Sequence, residues 1–442
     1  MKGDMTTGSP KQKILSFAFP MLLGVVFQQF YNIADSVIVG RFVSLDALAA
    51  VSASYPVTTL FLGIATGGGA GAAILIGYYF GAKKTDVMLT SMRTSVLSFL
   101  GLALLLTGGG LLLDDMTLKL LGTPADIFAL SGLYLRIFLY GLPFLFLYNV
   151  CNAGFQALGD SITPLALLIF SSILNVLLDL WWVAGLHAGV FGAAMATLFS
   201  QALAALCAAF LLHRKVSPWK KEGTYFDIQC FRELIGYALP GMLQQSVVAV
   251  GQLFMQNKIN SFGTAVVAGH AAAFKVNTLV MSSVNALGNA LSGYTSQNLG
   301  AKQNARIRQG FCVALTATLL MCGSISLFAC IFSRNFVSVF LEPPVDSNAL
   351  GTGVRFLHIV GPCYLLLAVK MCTDGLMKGL GNMKTFTVAT LIDLCVRVGS
   401  AFLLTDLLGY TAICLAYPFG WVVGLAITLF VYFKNRKDYY AP

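Results

Sequence analysis

Eight Asp, Lys and Arg side chains fall in the interior of otherwise apolar stretches of this 442-residue chain: Asp35, Arg136, Asp179, Lys275, Lys370, Asp374, Asp393 and Arg397. An ionisable group in lipid costs roughly 2.5–3.5 kcal/mol on insertion scales, so each needs a partner, a water-filled cavity or a function. Lys370 and Asp374 stand four apart, as do Asp393 and Arg397, so each pair shares one helix face and can neutralise itself. A proton or substrate role is the alternative for both pairs. Asp35 and Asp179 have no basic residue within a turn or two; their neighbours are amides and hydroxyls. Gln28, Asn32 and Asp35 follow i, i+4, i+7, and Ser171, Asn175 and Asp179 follow i, i+4, i+8, so each acid ends a polar helical stripe. Facing each other, the two acids would be driven by desolvation and like charge to hold a proton near neutral pH, or a small cation between hard oxygens. The bland alternative is a solvated place at the membrane interface. Asp35 is only about 9 Å of helix rise from Arg41, and Asp179 is followed by Trp181 and Trp182, which suit an interfacial belt.

The elements that carry these residues follow from composition. Charged residues make up 10% of the chain and hydrophobic ones 57%, with a mean hydropathy of +0.79, which excludes an ordinary soluble domain. Apolar runs of about 20 residues, enough to cross the hydrocarbon, lie near residues 14–38, 47–77, 94–113, 127–150, 162–184, 189–212, 233–257, 265–292, 310–332, 354–376, 385–405 and 411–433. The first is too long for a signal-peptide core and reads as a retained helix. The net charge of +10 is distributed by side: with the N-terminus inside, the inner segments hold nineteen Lys and Arg and the outer loops four. That asymmetry sets orientation and argues against a nucleic-acid partner. It predicts an inner-membrane protein with both termini cytoplasmic. The ten cysteines are scattered singly, without CxxC or His at ligand spacing, and read as core residues.

The chain is also written twice. AFP (18–20) returns as ALP (238–240), FGAKK (80–84) as LGAKQ (299–303), YLRI (134–137) as FLHI (356–359) and QALGD (156–160) as KGLGN (378–382). The expected fold is all-α, with twelve membrane helices in two six-helix bundles related by a pseudo-twofold axis along the membrane normal. The polar stretch HRKVSPWKKEGTYFD (213–227) supplies the boundary, giving lobes at 1–215 and 231–442 and a cytoplasmic linker over 216–230. Two such lobes favour a carrier that rocks about a central cleft. Gly63, Gly67 and Gly71 read as a close-packing stripe; GGGAG fails the phosphate-loop spacing. Lys275, Thr278, Ser282, Asn285 and Asn289 form a long polar stripe in the eighth span, and Gln245, Gln252 and Gln256 another in the seventh. Both suit either a water-filled pathway or interhelical hydrogen bonding.

In the order Pro20, Gln28, DSVIVGRF, DALAAV (46–51), FGAKK, YLRI, QALGDSITP (156–164), NVLLD (175–179) and QNLGAKQNARI (297–307), the chain resembles the multidrug and toxic compound extrusion (MATE) transporters over nearly its whole length. The resemblance is strongest to the DNA-damage-inducible F-like branch. It implies antiport of amphipathic, often cationic small molecules against H⁺ or Na⁺, with a coupling site at Asp35, Asn175, Asp179 and Thr197 and a helix bend at Pro20. The branch that uses a glutamate in the seventh span is not matched, since Gln244 and Gln245 stand there. Lys275 and Lys370 are basic residues whose role the family pattern leaves open.

The reading is thus a secondary efflux transporter working by alternating access, with no cofactor beyond the coupling ion and no enzymatic activity. Its partners are small-molecule substrates and membrane lipid, and a monomer is expected. One proton driven by about 100 mV and one pH unit supplies about 3.7 kcal/mol, enough for a several-hundred-fold gradient, and no GxxxxGK[ST] motif is present. The alternative is a flippase for a lipid-linked glycan, which a strongly basic cavity would favour. A membrane-embedded transferase would need a DDxxD motif or a cavity-facing catalytic His. No DDxxD occurs, and the four His are scattered.

Overall fold

The computed structural model describes residues 3–32, 49–219, 224–341, 344 and 346–435 in full, and the helical backbone alone over 33–42 and 45–48. Within the bilayer the backbone can satisfy its polar groups only along the chain itself, so the apolar runs become helices. They are α1 (Pro10–Phe42), α2 (Leu45–Gly81), α3 (Thr85–Leu120), α4 (Phe128–Ala157), α5 (Ile162–Asp179), α6 (Gly189–Val216) and α7 (Ile228–Asn260). After these come α8 (Thr264–Gly300), α9 (Asn304–Ile331), the short α10 (Ser333–Ser338), α11 (Ser347–Val360), α12 (Tyr364–Gly379), α13 (Met383–Leu408) and α14 (Tyr410–Lys434). Among the described residues twelve spans are long and apolar enough to cross a membrane, and the chain is a multi-pass membrane protein. α11 and α12 form one of these spans, joined by a 3₁₀ turn over Gly361–Cys363, where Pro362 removes a backbone donor. A π-helical turn over Leu180–Gly185 extends α5.

The repeated motifs fold alike. Gly159 (φ 71°) and Gly381 (φ 81°) take the same left-handed turn, open to glycine without steric cost. The next residue then caps the following helix: Asp160 accepts from the Thr163 N–H at 3.0 Å, and Asn382 from the Thr385 N–H at 3.2 Å. FGAKK and LGAKQ match as well, with Lys83 (φ 57°) and Lys302 (φ 56°) in the left-handed region.

Contacts divide the chain into two compact units, Met1–Asp4 with Leu23–Ser246, and Met5–Leu22 with Val247–Pro442. These boundaries fall inside α1 and α7, whereas the lobes at 1–215 and 231–442 follow the repeat. In the first unit α4 packs against α2, α3 and α6 around a core that includes Phe99, Leu142 and Phe146. The first half of α7 belongs here because the α2 glycines admit it. A Cβ on Gly67 would lie 2.3 Å from the Gly241 carbonyl oxygen, and one on Gly71 2.6 Å from Ala238 Cα. The entry of α7 is held as well: the Asp227 N–H donates to Thr94 Oγ1 at 3.1 Å, and Asp227 Oδ1 accepts from the Cys230 N–H at 2.8 Å.

In the second unit α8 packs against α9, α11 and α12, and α13 against α14. The first half of α1 joins it, with Ile14, Phe17 and Ala18 buried in a cluster with Leu291, Tyr294 and Ile307. The segment ahead of α1 is clasped at the α8–α9 corner. The Met5 N–H donates to Gln297 Oε1 (2.9 Å), Arg306 donates to the Met5 (3.0 Å) and Gly8 (2.8 Å) carbonyls, and Asn298 Nδ2 donates to the Met5 carbonyl (3.3 Å).

Candidate functional site

The last turns of α5 bring the first-unit residues together. Asn175 and Asp179 are 1% and 0% exposed, so the interfacial alternative does not hold for Asp179, although Trp181 behind it is exposed. Asn175 stands one helical turn before Asp179. With its amide turned to satisfy both ends, Nδ2 donates to Asp179 Oδ2 (3.0 Å) and Tyr31 OH (3.1 Å), while Oδ1 accepts from the Thr197 N–H (3.2 Å). The amide end facing α6 lies 3.5 Å from Thr197 Oγ1, which itself donates to the Ala193 carbonyl at 3.1 Å. The carboxylate thus sits among neutral hydroxyl and amide groups, where a proton or a small cation held by oxygen ligands is chemically accommodated. Thr197 also lines a small, shallow cleft between α4 and α6, with Tyr134 and Gln201 on its walls.

The α1 residues are placed in part. Pro20 is buried inside α1, two residues before the helix passes from one unit to the other. Gln28 Nε2 donates to Asn32 Oδ1 at 3.2 Å, as the stripe implies. Asp35 lies among residues whose side chains are outside the described set; the backbone there is helical, placing it four residues after Tyr31. Tyr31 was missed in the sequence, although this spacing on α1 is the signal that points to it. The π-helical turn that ends α5 beside Asp179 had no sequence signal; such turns recur at functional sites.

In the second unit the two predicted ion pairs merge. Lys370 Nζ lies 2.8 Å from Asp374 Oδ2 and 3.3 Å from Asp393 Oδ2, and Arg397 lies 2.8 Å from Asp393 Oδ1. Thr428 Oγ1 donates to Asp374 Oδ1 at 3.1 Å. Lys370, Asp374 and Asp393 are at most 3% exposed. α14 makes room for them with two glycines: a Cβ on Gly420 would lie 2.2 Å from Asp393 Oδ1, and one on Gly424 2.9 Å from Lys370 Cε. Nearby, Lys378 donates to Asn289 Oδ1 at 3.1 Å and lies 4.5 Å from the centre of the Phe386 ring.

The remaining polar positions divide between bonding and exposure. Gln256 donates to Asn260 at 2.8 Å and Thr278 to the Phe274 carbonyl at 2.9 Å. Gln245 and Ser282 are half-buried, while Gln252 and Asn285 are exposed. Lys275 is exposed, its ammonium 5.0 Å from the centre of the Phe340 ring, in the segment that follows α9 and α10. Arg136 is half-exposed and pairs with Asp114 and Asp115 near the end of α3. Among the described residues no group of three His, Cys, Asp or Glu is placed to hold a metal ion.

Comparison with known proteins adds an independent line. The family profile described as MatE matches residues 20–181 and 240–403, one segment in each repeat. The chain is 28% identical over 426 residues to the probable multidrug resistance protein YoeA of Bacillus subtilis, covering 93% of this chain and 91% of the relative. It is 26% identical over 362 residues to a FAD transporter of Shewanella oneidensis, covering 79% and 78%. In three dimensions it superposes on a MOP superfamily transporter from Pyrococcus furiosus with a TM-score of 0.90 at 22% identity, covering 99% of this chain and 98% of that one.

Proposed function

The chain belongs to the MatE family, a family of transporters and not of enzymes, and from that premise we propose that it is a secondary antiporter of the inner membrane. It exports amphipathic or cationic small molecules in exchange for H⁺ or Na⁺ by alternating access, with both termini cytoplasmic. The observation that carries the coupling assignment is the seclusion of Asp179 against Asn175 and beside Tyr31 and Thr197, one turn-spacing along α1 from Asp35. Ion uptake there changes the charge of a buried group. That is the kind of differential interaction through which a ligand biases an inward–outward equilibrium. Multidrug resistance is in the name of the B. subtilis relative, which supports export of amphipathic compounds. The antiporter reading is preferred to the flippase one because three of the four basic residues that would favour a flippase, Lys370, Arg397 and Arg136, stand in ion pairs, while Lys275 is exposed over the Phe340 ring.

The test is export from proteoliposomes under an imposed pH gradient and, separately, an imposed Na⁺ gradient, comparing the native chain with Asp35→Asn and Asp179→Asn. Loss of gradient-driven export in both variants, with downhill flux retained, is expected. Native export in either variant removes that acid from the coupling site.

A further inference from the structure

The second unit holds two buried carboxylates as the first is expected to, yet it arms them differently. All four oxygens of Asp374 and Asp393 have a described partner: Lys370 on Oδ2 of each, Thr428 on Asp374 Oδ1 and Arg397 on Asp393 Oδ1. The two positive and two negative charges balance. Lys370 comes from the same helix as Asp374, one turn away, and reaches between α12 and α13 to touch both acids. α14 is hollowed at Gly420 and Gly424 to seat this arrangement. The other charged or titratable groups described around it include Lys378, bonded to Asn289, Cys372, bonded to Thr318, and Tyr417, whose ring centre lies 5.1 Å from the Arg397 guanidinium.

We infer that the Asp374–Asp393 pair, with Thr428 bracing Asp374, is a monovalent-cation site whose occupant is the chain's own Lys370 ammonium. Two carboxylate oxygens converging on one point are suited to a small cation, and the ammonium is held there by its tether to α12. The cluster is thereby neutral without exchanging an ion. It follows that deleting the lysine side chain uncovers a site of net charge −1 that an external cation fills. This inference does not depend on the coupling role of the first unit.

The experiment uses the full chain in detergent with Asp35→Asn and Asp179→Asn in place, so that cation binding by the first unit does not contribute. Lys370→Ala in this background is melted from about 1 mM to about 100 mM NaCl, with choline chloride holding ionic strength constant, and separately with n-butylammonium, which reproduces the missing side chain. The expected result is a Tm several degrees below the background chain, raised again by Na⁺ or by n-butylammonium. The background chain and the charge-balanced pair Lys370→Met with Asp374→Asn stay flat. Should Lys370→Ala fail to purify, solubilisation in n-butylammonium provides the same readout as recovered folded yield. A background chain that gains as much from Na⁺ as Lys370→Ala, or a Lys370→Ala chain that responds to neither cation, overturns the inference.

Discussion

Gly420→Ala is the substitution whose effect the structure fixes most closely. Its Cβ would stand 2.2 Å from Asp393 Oδ1 and 2.8 Å from the Asp393 carbonyl oxygen, whereas ordinary contact begins near 3.4 Å. More than an ångström must therefore be found between α13 and α14. Rotating the carboxylate relieves only the contact with Oδ1 and draws Asp393 away from Arg397 at 2.8 Å and Lys370 at 3.3 Å, while the contact with the Asp393 carbonyl oxygen requires the α13 backbone to shift as well. Overpacking costs about 1–3 kcal/mol, and leaving a buried charge short of its partner about 3–5 kcal/mol. Because the chain relaxes to share the two costs, a loss of about 3–5 kcal/mol in all is expected. Gly399→Ala, on α13 with nothing within 4 Å of the added carbon, is the matched control. The buried thiols of Cys322, Cys372 and Cys414 report the melt: a maleimide fluorophore reaches them only as the second unit opens. Gly420→Ala should melt well below Gly399→Ala. Coincident curves would refute the seating of the charge cluster against α14.

Three further outcomes are expected. Asp160 is desolvated, which works against its charge, but the Lys215 ammonium and the Thr163 N–H and hydroxyl outweigh this and hold its carboxyl below the usual range. A depressed folded-state pKa stabilises above the unfolded value of about 3.9 and is lost as pH falls through the folded one, so Asp160→Asn should flatten the acid limb of a Tm–pH profile. Tyr31→Phe removes the hydroxyl that accepts from Asn175, a bond worth about 1 kcal/mol, and should lower gradient-driven export roughly threefold to tenfold in the proteoliposome assay. Arg306→Ala releases the Gly8 carbonyl and leaves the Met5 carbonyl to Asn298 alone, and trypsin should then cut at Lys11 and Lys13 faster than in the native chain, as read by the mass of the trimmed protein.

The twelve spans and the duplication were legible because lipid admits so few backbone solutions that apolar run length alone identifies a helix. QALGD and KGLGN could be paired by eye, and their identical glycine turns and caps show why the pattern persists. The site was legible as far as helical spacing reaches. Asn175 and Asp179 share a face by arithmetic, and so do Lys370 with Asp374 and Asp393 with Arg397. What spacing cannot give is the bond that joins one helix to another. Lys370 to Asp393, Thr428 to Asp374 and Arg136 to Asp114 all depend on which helices become neighbours. Lys275 shows the same limit from the other side: helical spacing put it on a polar stripe, and only the fold shows that it is exposed with its ammonium over the Phe340 ring.

The clasp on Met5 has a bearing on biosynthesis. Gln297 follows Met5 by 292 residues, so the opening segment emerges long before the corner that will hold it has been translated. The leading half of α1 must wait in the bilayer, with its inward-facing Ile14 and Phe17 uncovered, until α8 and α9 are inserted. Assembly of the second unit is therefore closed by residues made near the start of translation, and a ribosome stalled before residue 306 leaves that end of the chain without its seat.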